Sequence, residues 1–224
     1  MKLALFDLDH TLIPFDSDHA WGDFCCTLGW VDTVHHKSRN AAFYADYKAG
    51  TLDIYAYLDF ALAPLVGKTA EQLAQAHAQF MQQVVQAQLR PSALELVASH
   101  RARGHTCVVV TATNAFITRP IAAAFGISEL LAVDLQQVKA ADSGYYTGKP
   151  QGVLTYQAGK VTRVEQYLAE RNLRLADCET WFYSDSINDL ALLKRVTYAI
   201  ATNPDAPLLE QAKMHSWQVL ELYK

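Results

Sequence analysis

The chain has 224 residues, of which 51% are hydrophobic and 19% are charged, an ordinary composition for a soluble globular protein. A formal net charge of -4 gives no electrostatic reason to expect a nucleic-acid partner, and the scattered lysines and arginines form no patch for a membrane surface. No apolar run approaches the roughly 18 residues that a membrane span needs. Because the first residues lead straight into an apolar segment and then into acids, unlike a secretory signal, we expect a cytoplasmic protein.

The first predicted element is a buried strand over residues 3–6, which are all apolar. Two carboxylates, Asp7 and Asp9, follow it directly, and the hydroxyl of Thr11 comes just beyond them. In an open α/β sheet, ligands bind at the carboxyl ends of the strands. Paired acids at such a strand end therefore indicate a metal site or acid–base chemistry.

Residues 15–90 are predicted to be helical and show no convincing strand. Thr69 and Gln72 resemble a capping box at the start of one of these helices. Pro91 is suited to the first turn of a further helix, and Gly104 is placed to end it. We therefore expect residues 15–90 to form an all-helical cap domain inserted into a core domain made of residues 1–14 and 91–224.

From residue 107 the chain alternates between strand and helix signals. Residues 107–110 are a continuous β-branched run, typical of a strand buried on both faces. Further strands are predicted at 130–135, 181–183, 198–201 and 217–220, and a glycine-punctuated hairpin at 145–156. Helices are predicted between them, at 117–125, from about 161, up to 193, and at 204–212. This order predicts an α/β fold with a doubly wound, mostly parallel sheet.

Polar side chains recur at the ends of these strands and at one helix start. They are Thr111 with its neighbour Thr113 after the strand at 107–110, Lys160 at a helix start, and Asp185, Asn188 and Asp189 after the strand at 181–183. A parallel sheet would bring these groups to the same edge as the first two acids. Four carboxylates in one cleft repel each other and need a cation, and Mg²⁺ prefers oxygen ligands. Lysine and hydroxyl donors would then hold phosphate oxygens, so the pattern favours phosphoryl chemistry.

These motifs resemble those of the haloacid dehalogenase superfamily of phosphatases, in the branch, subfamily IB, that contains phosphoserine phosphatase. The run from Asp7 to Thr11 matches the first motif of the family, Thr111 the second, Lys160 the third, and the segment from Asp185 to Asp189 the fourth. They occur in the family's order and span nearly the whole chain. The resemblance implies a Rossmann-like core and Mg²⁺ as the cofactor.

The resemblance also implies a role for each residue. Asp7 would be the nucleophile that forms an aspartyl-phosphate, and Asp9 the general acid and then the general base. Thr111 and Lys160 would bind the transferring phosphoryl group. The implied metal site comprises Asp7 and Asp185 through their carboxylates, Asp9 through its backbone carbonyl, and Asp189, which would orient Lys160 and metal-bound water. Asn188 would support the network as a substrate-binding residue.

The substrate depends on the cap. Asp16 falls at about the position where the phosphoserine enzymes hold the substrate amine, but residues 50–58 contain no arginine for a carboxylate, and Asp59 follows them. Acids and aromatic side chains in this region suit a cationic leaving group, as in histidinol phosphate or a choline-type ester. The aromatic residues concerned are Trp21, Tyr44, Tyr47, Tyr55 and Tyr57. The alternative is that Asp16 or Asp18 caps the first cap helix and that the aromatic residues form the cap core.

The sequence thus predicts a Mg²⁺-dependent phosphomonoesterase that acts on a small phosphorylated substrate, as a monomer or a homodimer. A phosphotransferase or phosphomutase would use the same residues and pass the phosphoryl group to another acceptor. A non-catalytic phospholigand-binding module is a third possibility, which the intact Asp7 and Asp9 disfavour.

Overall fold

The computed structural model describes residues 1–138 and 145–223, apart from the side chain of Lys48. The strands are β1 (Lys2–Phe6), β2 (Thr106–Asn114), β3 (Glu129–Gln137), β4 (Tyr146–Gln151), β5 (Glu179–Ser184), β6 (Tyr198–Thr202) and β7 (Gln218–Leu220). The helices are α1 (Ser17–Thr27), α2 (Thr33–Ala49), α3 (Ile54–Leu62), α4 (Ala70–Phe80), α5 (Pro91–Ala102), α6 (Ala115–Ala124), α7 (Ala158–Ala169), α8 (Leu190–Leu193) and α9 (Ala206–His215). Among the described residues, no helix has both the length and the apolar character to cross a membrane.

The sheet has the strand order β4-β3-β2-β1-β5-β6-β7. The described pairs from β3 through β7 are parallel, and β4 is antiparallel to β3. From β1 at the centre, the order runs outward through β2 and β3 on one side and through β5, β6 and β7 on the other. This confirms the predicted doubly wound, mostly parallel α/β fold. Because the central strands are parallel, their carboxyl ends lie along one edge of the sheet.

The chain divides into two compact units. The first comprises Met1–Phe15, Gln88–Val133 and Val153–Lys224, and the second comprises Asp16–Ala87 and Asp134–Gly152. The two boundaries at the ends of Asp16–Ala87 lie within a few residues of those that the sequence predicts.

The core of the first unit covers both faces of β1, whose residues from Leu3 to Phe6 have no exposed surface. Leu3 and Leu5 pack in one cluster with Val164 and Leu168 of α7. On the other face Phe6 stacks on the ring of Tyr183, with 5.0 Å between the ring centres. Burial on both faces explains why this strand is continuously apolar in the sequence.

The second unit contains α1 to α4, each of which begins with a side-chain cap. The capping box predicted for α4 is confirmed, because Thr69 and Gln72 exchange hydrogen bonds between side chain and backbone. Trp21 is buried against Phe24 and Phe80, so this part of the aromatic set forms the interior of the unit.

Asp134–Gly152 belongs to the second unit, whereas the sequence places it in the core domain. Two contacts within the unit account for this. Val66 forms a bridge with Tyr146 at the start of β4, and Lys149 of β4 forms an ion pair with Asp59 of α3 at 2.7 Å. The described part of the unit is therefore not all-helical, since it includes β4.

The hairpin predicted within residues 145–156 is wrong in its pairing. One strand, β4, forms there, and its antiparallel partner is the end of β3. The glycines that suggested a turn have another use. Gly148 and Gly152 have φ values of 79° and 73°, and a Cβ on Gly148 would lie 2.6 Å from the side chain of Val66. The glycine pattern thus reflects backbone conformation and close packing rather than a turn between two strands.

Candidate active site

Two of the predicted site residues of the first unit, Asp7 and Asp185, directly follow strand ends. Asp7 comes directly after β1, and its N–H donates to the carbonyl of Tyr183 in β5 at 2.9 Å. Thr111 lies within β2, which continues to Asn114, so the strand is longer than the sequence predicts. Asp185 comes directly after β5. The parallel order β2-β1-β5 places these three positions side by side at the carboxyl edge.

Lys160 joins the loop after β1 to the loop after β5. Its ammonium lies 2.7 Å from Asp189 Oδ2 and 3.0 Å from Asp7 Oδ1, and its side chain is 3% exposed. Ser184 also donates to Asp189 Oδ2, at 2.7 Å. A buried cation is therefore held by two buried acids from two different loops, a charge-assisted arrangement that fixes the position of each.

The backbone before Lys160 brings it close to this edge. Gln157, which precedes α7, has a φ of 49°, and Gly159 lies in the first turn of the helix. A Cβ on Gly159 would lie 1.9 Å from the carbonyl oxygen of Leu154. Glycine is therefore the residue that allows the loop at Leu154 and the start of α7 to approach each other closely.

The loop after β5 forms a 3₁₀ turn over Ile187–Asp189 before α8 begins. A helix starting at Asp185 would place Asp185 and Asp189, four residues apart, on one face, but the structure has this turn instead. Ser186 caps the turn by accepting from the N–H of Asn188 at 3.2 Å. Asn188 in turn accepts from the side chain of Gln157 at 3.2 Å, which connects it to the segment before α7.

The loop after β1 turns back on itself at Leu8, whose carbonyl accepts from the N–H groups of Thr11, Leu12 and Ile13. Thr11 is fully buried, and its hydroxyl donates to Asp185 Oδ1 at 3.1 Å. The first and fourth motifs are therefore linked by a direct side-chain hydrogen bond.

Thr113 is a site residue that the sequence analysis left as a neighbour of Thr111. Its hydroxyl donates to Asp9 Oδ2 at 2.8 Å, and its N–H donates to the hydroxyl oxygen of Thr111 at 3.1 Å. The alternation of an extended strand was the available signal, because residues two apart point to the same face. The hydroxyl of Thr113 thus bonds to Asp9, whereas that of Thr111 accepts from the backbone of Thr113.

Burial and neighbouring acids raise the pKa values of Asp7 and Asp185. Burial raises the pKa of Asp7 to about 7, against the lowering effect of Lys160 and with added repulsion from Asp189 and Asp9. Burial and the negative charges of Asp7 and Asp189 raise the pKa of Asp185 well above its ordinary value. Burial lowers the pKa of Lys160, but the carboxylates of Asp189 and Asp7 outweigh it and the net pKa is raised. One lysine leaves these acids incompletely neutralised.

The donor set fits Mg²⁺ if a backbone carbonyl and water complete the ligands that the carboxylates supply. Within the described residues, no three side chains of His, Cys, Asp or Glu are grouped to hold a metal by themselves. Asp7 and Asp185 would supply two carboxylates, and the backbone carbonyl of Asp9 and water would supply the other oxygens, which Mg²⁺ accepts. Asp189 Oδ2 is engaged by Lys160 and Ser184, which suits an orienting role better than direct ligation.

The acids of the second unit have partners there. Asp16 caps α1 by accepting from the N–H of His19 at 2.8 Å, as the capping alternative predicts. Asp18 is buried and accepts from the hydroxyl of Tyr57 at 2.8 Å. Lys149 pairs with Asp59 at 2.7 Å, which offsets the repulsion that this acid would otherwise exert on a substrate carboxylate.

The aromatic residues of the predicted cation-binding set do not behave as one group. Trp21 is 1% exposed and Tyr55 is 67% exposed. Tyr44, Tyr47 and Tyr57 are half-buried. The set is therefore divided between the interior of the unit and its surface.

The sequence was compared with models of known families and with known proteins. The family model described as haloacid dehalogenase-like hydrolase matches residues 4–194. A histidinol-phosphatase of Neisseria meningitidis serogroup C (strain 8013) is 43% identical over 220 residues, which cover 98% of each chain.

Two solved structures resemble the whole chain. A protein of unknown function from Bordetella pertussis Tohama I has a TM-score of 0.92 and 42% sequence identity, with 99% of each chain covered. A substrate-bound phosphoserine phosphatase has a TM-score of 0.69 and 19% identity, with 98% of this chain and 92% of that chain covered, and this likeness shows the fold alone. The chain therefore belongs to the haloacid dehalogenase-like hydrolases, and within them it is a phosphoric monoester hydrolase.

Proposed function

We propose that this protein is a Mg²⁺-dependent phosphomonoesterase that works through an aspartyl-phosphate on Asp7. The observation that carries the proposal is the buried Lys160, which contacts both Asp7 and Asp189 at the carboxyl edge of the sheet. A buried ammonium beside a nucleophilic carboxylate is suited to holding the oxygens of a transferring phosphoryl group. The family model and the relative from Neisseria meningitidis support the same reaction class.

In the proposed reaction, an oxygen of Asp7 attacks phosphorus and forms a P–O bond while the bond to the leaving alcohol breaks. Asp9 gives its proton to the departing oxygen and then takes a proton from the water that hydrolyses the intermediate. Thr111 and Lys160 hold the phosphoryl oxygens, and Asp189 holds Lys160. Asp7, Asp185 and the carbonyl of Asp9 would hold Mg²⁺, which would supply positive charge against the charge of the phosphate.

We further propose an amino-alcohol phosphate, histidinol phosphate first, as the substrate. The support is the 43% identity to a histidinol-phosphatase across nearly the full length of both chains. Within the second unit, Asp16 is our candidate for the substrate amine, since its carboxylate lies at the start of α1 and no buried partner neutralises it among the described contacts.

The reaction is tested with the Asp7→Asn variant. The wild-type protein should release phosphate from 4-nitrophenyl phosphate only with Mg²⁺, and the variant should release none. Wild-type protein without Mg²⁺-dependent release would contradict the proposal. Product analysis with added alcohols distinguishes hydrolysis from transfer, because a phosphotransferase would form new phosphate esters in place of inorganic phosphate.

The substrate is tested with a panel of histidinol phosphate, phosphocholine, phosphoserine and glycerol phosphate. Asp16→Asn should raise KM for histidinol phosphate about 10-fold, because the negative charge opposite the substrate ammonium is lost, and should leave KM for 4-nitrophenyl phosphate unchanged. Asp32→Asn is the matched control, since Asp32 caps α2 in the same way, accepting from His35 at 2.8 Å. Equal activity on cationic and anionic leaving groups would overturn the substrate proposal.

A further inference from the structure

The loop that follows β6 contacts both loops that carry the candidate active-site acids. Asn203 begins it in a left-handed conformation with a φ of 47°, which asparagine tolerates better than most residues. Its side-chain N–H donates to the carbonyl of His10 at 3.1 Å, beside Asp9. Two residues later, the N–H of Asp205 donates to the carbonyl of Asp185 at 2.8 Å. One short segment therefore bonds to the backbone of the first and fourth motifs.

The carboxylate of Asp205 strengthens this link. One of its oxygens accepts from the N–H of Ile187 at 3.1 Å, and the other caps α9 through the N–H of Leu208 at 2.7 Å. The loop after β5 is thus tied at Asp185 and at Ile187 to Asp205, the residue that caps α9.

The segment that follows β7 adds a second support. Asn203 Oδ1 accepts from the N–H of Leu222 at 2.7 Å, and the hydroxyl of Ser92 donates to the carbonyl of Leu222 at 2.9 Å. The next side chain, Tyr223, donates its hydroxyl to the carbonyl of Thr11. Thr11 in turn donates to Asp185, so the tyrosine supports the residue that bridges the two motifs.

We propose that Asn203 and Tyr223 are positioning residues that set the spacing between the loop after β1 and Asp185, and thereby the affinity for Mg²⁺. Neither touches the reacting groups, and neither lies in any of the four motifs. They fix the backbone at His10 and Thr11, next to the carbonyl of Asp9, which is one of the expected oxygen ligands. The inference rests on the proposed Mg²⁺-dependent reaction.

The test uses Tyr223→Phe, which removes only the hydroxyl, and Asn203→Gly, which removes the amide while keeping the left-handed backbone accessible. Each has a matched control in the same unit. Tyr198→Phe removes an exposed hydroxyl that lies 3.4 Å from Glu179, and Asn172→Gly changes an exposed asparagine with a φ of 57°. Mg²⁺ affinity is measured on the full chain by isothermal titration calorimetry, and hydrogen exchange of residues 7–13 and 184–190 is measured without Mg²⁺.

We expect both test variants to weaken Mg²⁺ binding about 10-fold, as outer partners of metal ligands commonly do, and to speed hydrogen exchange in the two segments. The controls should match the wild type in both measurements. A lower melting temperature with unchanged Mg²⁺ affinity and unchanged exchange would overturn the inference, because it would show a merely structural role. Failure of the wild-type protein to bind Mg²⁺ would instead refute the proposed function, and the inference with it.

Discussion

The hydroxyl of Thr113 donates a hydrogen bond to Asp9 Oδ2 at 2.8 Å. In the proposed reaction Asp9 must hold a proton in the first step and accept one in the second. A fixed donor to one of its oxygens would hold the carboxyl group in one orientation. The orientation of the proposed proton carrier is therefore set from β2, which pairs with β1, the strand that the proposed nucleophile Asp7 follows.

Replacing Thr113 with valine should lower kcat about 10-fold for an alkyl phosphate, because Asp9 loses the bond that orients it. The loss should be smaller for 4-nitrophenyl phosphate, whose acidic leaving group needs little protonation. Steady-state kinetics with both esters gives the comparison. Thr113→Ser keeps the hydroxyl and should restore the alkyl-phosphate rate, and equal losses with both esters would disprove the orienting role.

Replacing Lys160 with methionine should reduce the free energy of unfolding by about 3–5 kcal/mol, because two buried acids lose their shared counter-charge. Urea denaturation at neutral pH without Mg²⁺ measures the effect.

The matched control for Lys160 is Lys2→Met. Lys2 pairs with Glu179 at 3.0 Å, but both side chains are exposed, so the loss of Lys2 should cost much less stability than the loss of Lys160. Similar losses for the two variants would contradict the burial argument.

Replacing Gly159 with alanine should destabilise the protein by about 3 kcal/mol, since the new Cβ would lie 1.9 Å from a backbone oxygen that has to move. The displaced start of α7 carries Lys160, so kcat/KM should fall as well. Thermal unfolding and steady-state kinetics measure the two effects. Gly104→Ala is the control: its φ is 73° but its Cβ would meet nothing within 4 Å, so it should cost about 1–2 kcal/mol of strain and leave kcat/KM unchanged.

A buried histidine pair predicts how stability depends on pH. His100 Nδ1 lies 2.8 Å from His105 Nδ1, and His100 Nε2 lies 2.7 Å from the hydroxyl of Tyr183. Burial lowers the pKa of His100 from 6.5 to about 4, with further lowering from the charges of Arg103 and His105. Between these values the unfolded chain binds more protons than the folded one, so stability falls as the pH falls.

At about pH 5 the low pKa of His100 should reduce the free energy of unfolding by about 2 kcal/mol relative to neutral pH. Urea denaturation at the two pH values measures this difference. Stability should not change above about pH 7.5 on this account. His100→Gln should flatten the dependence, whereas His215→Gln, at an exposed position, should retain it. A wild-type slope that survives in His100→Gln would show that other groups are responsible.

From the sequence, the position of a candidate residue was most predictable where that residue directly follows a strand. Asp7 and Asp185 follow apolar runs, and the alternating order of strands and helices was enough to bring them to one edge. The contact of Thr113 with Asp9 was harder to predict. Thr111, two residues earlier, carries the same hydroxyl group, and only the register of the strand determines which threonine reaches Asp9.

Contacts between distant segments left no comparable signal. Asn203 and Tyr223 reach His10 and Thr11 across about two hundred residues of chain, and neither lies in a pattern with a period or a motif. The grouping of Asp134–Gly152 with the second unit was missed for the same reason, since it depends on β4 meeting α3 and Val66. Local propensity describes the elements, but tertiary packing decides such partners.

The discontinuous second unit restricts how this protein can be re-engineered. A chimera that exchanges only Asp16–Ala87 with a relative would leave β4 behind, and with it Lys149, the ion-pair partner of Asp59. A transplant has to move both segments of the unit together, so that foreign helices are not combined with a native strand. Directed changes of substrate preference by domain shuffling should therefore use four crossover points rather than two.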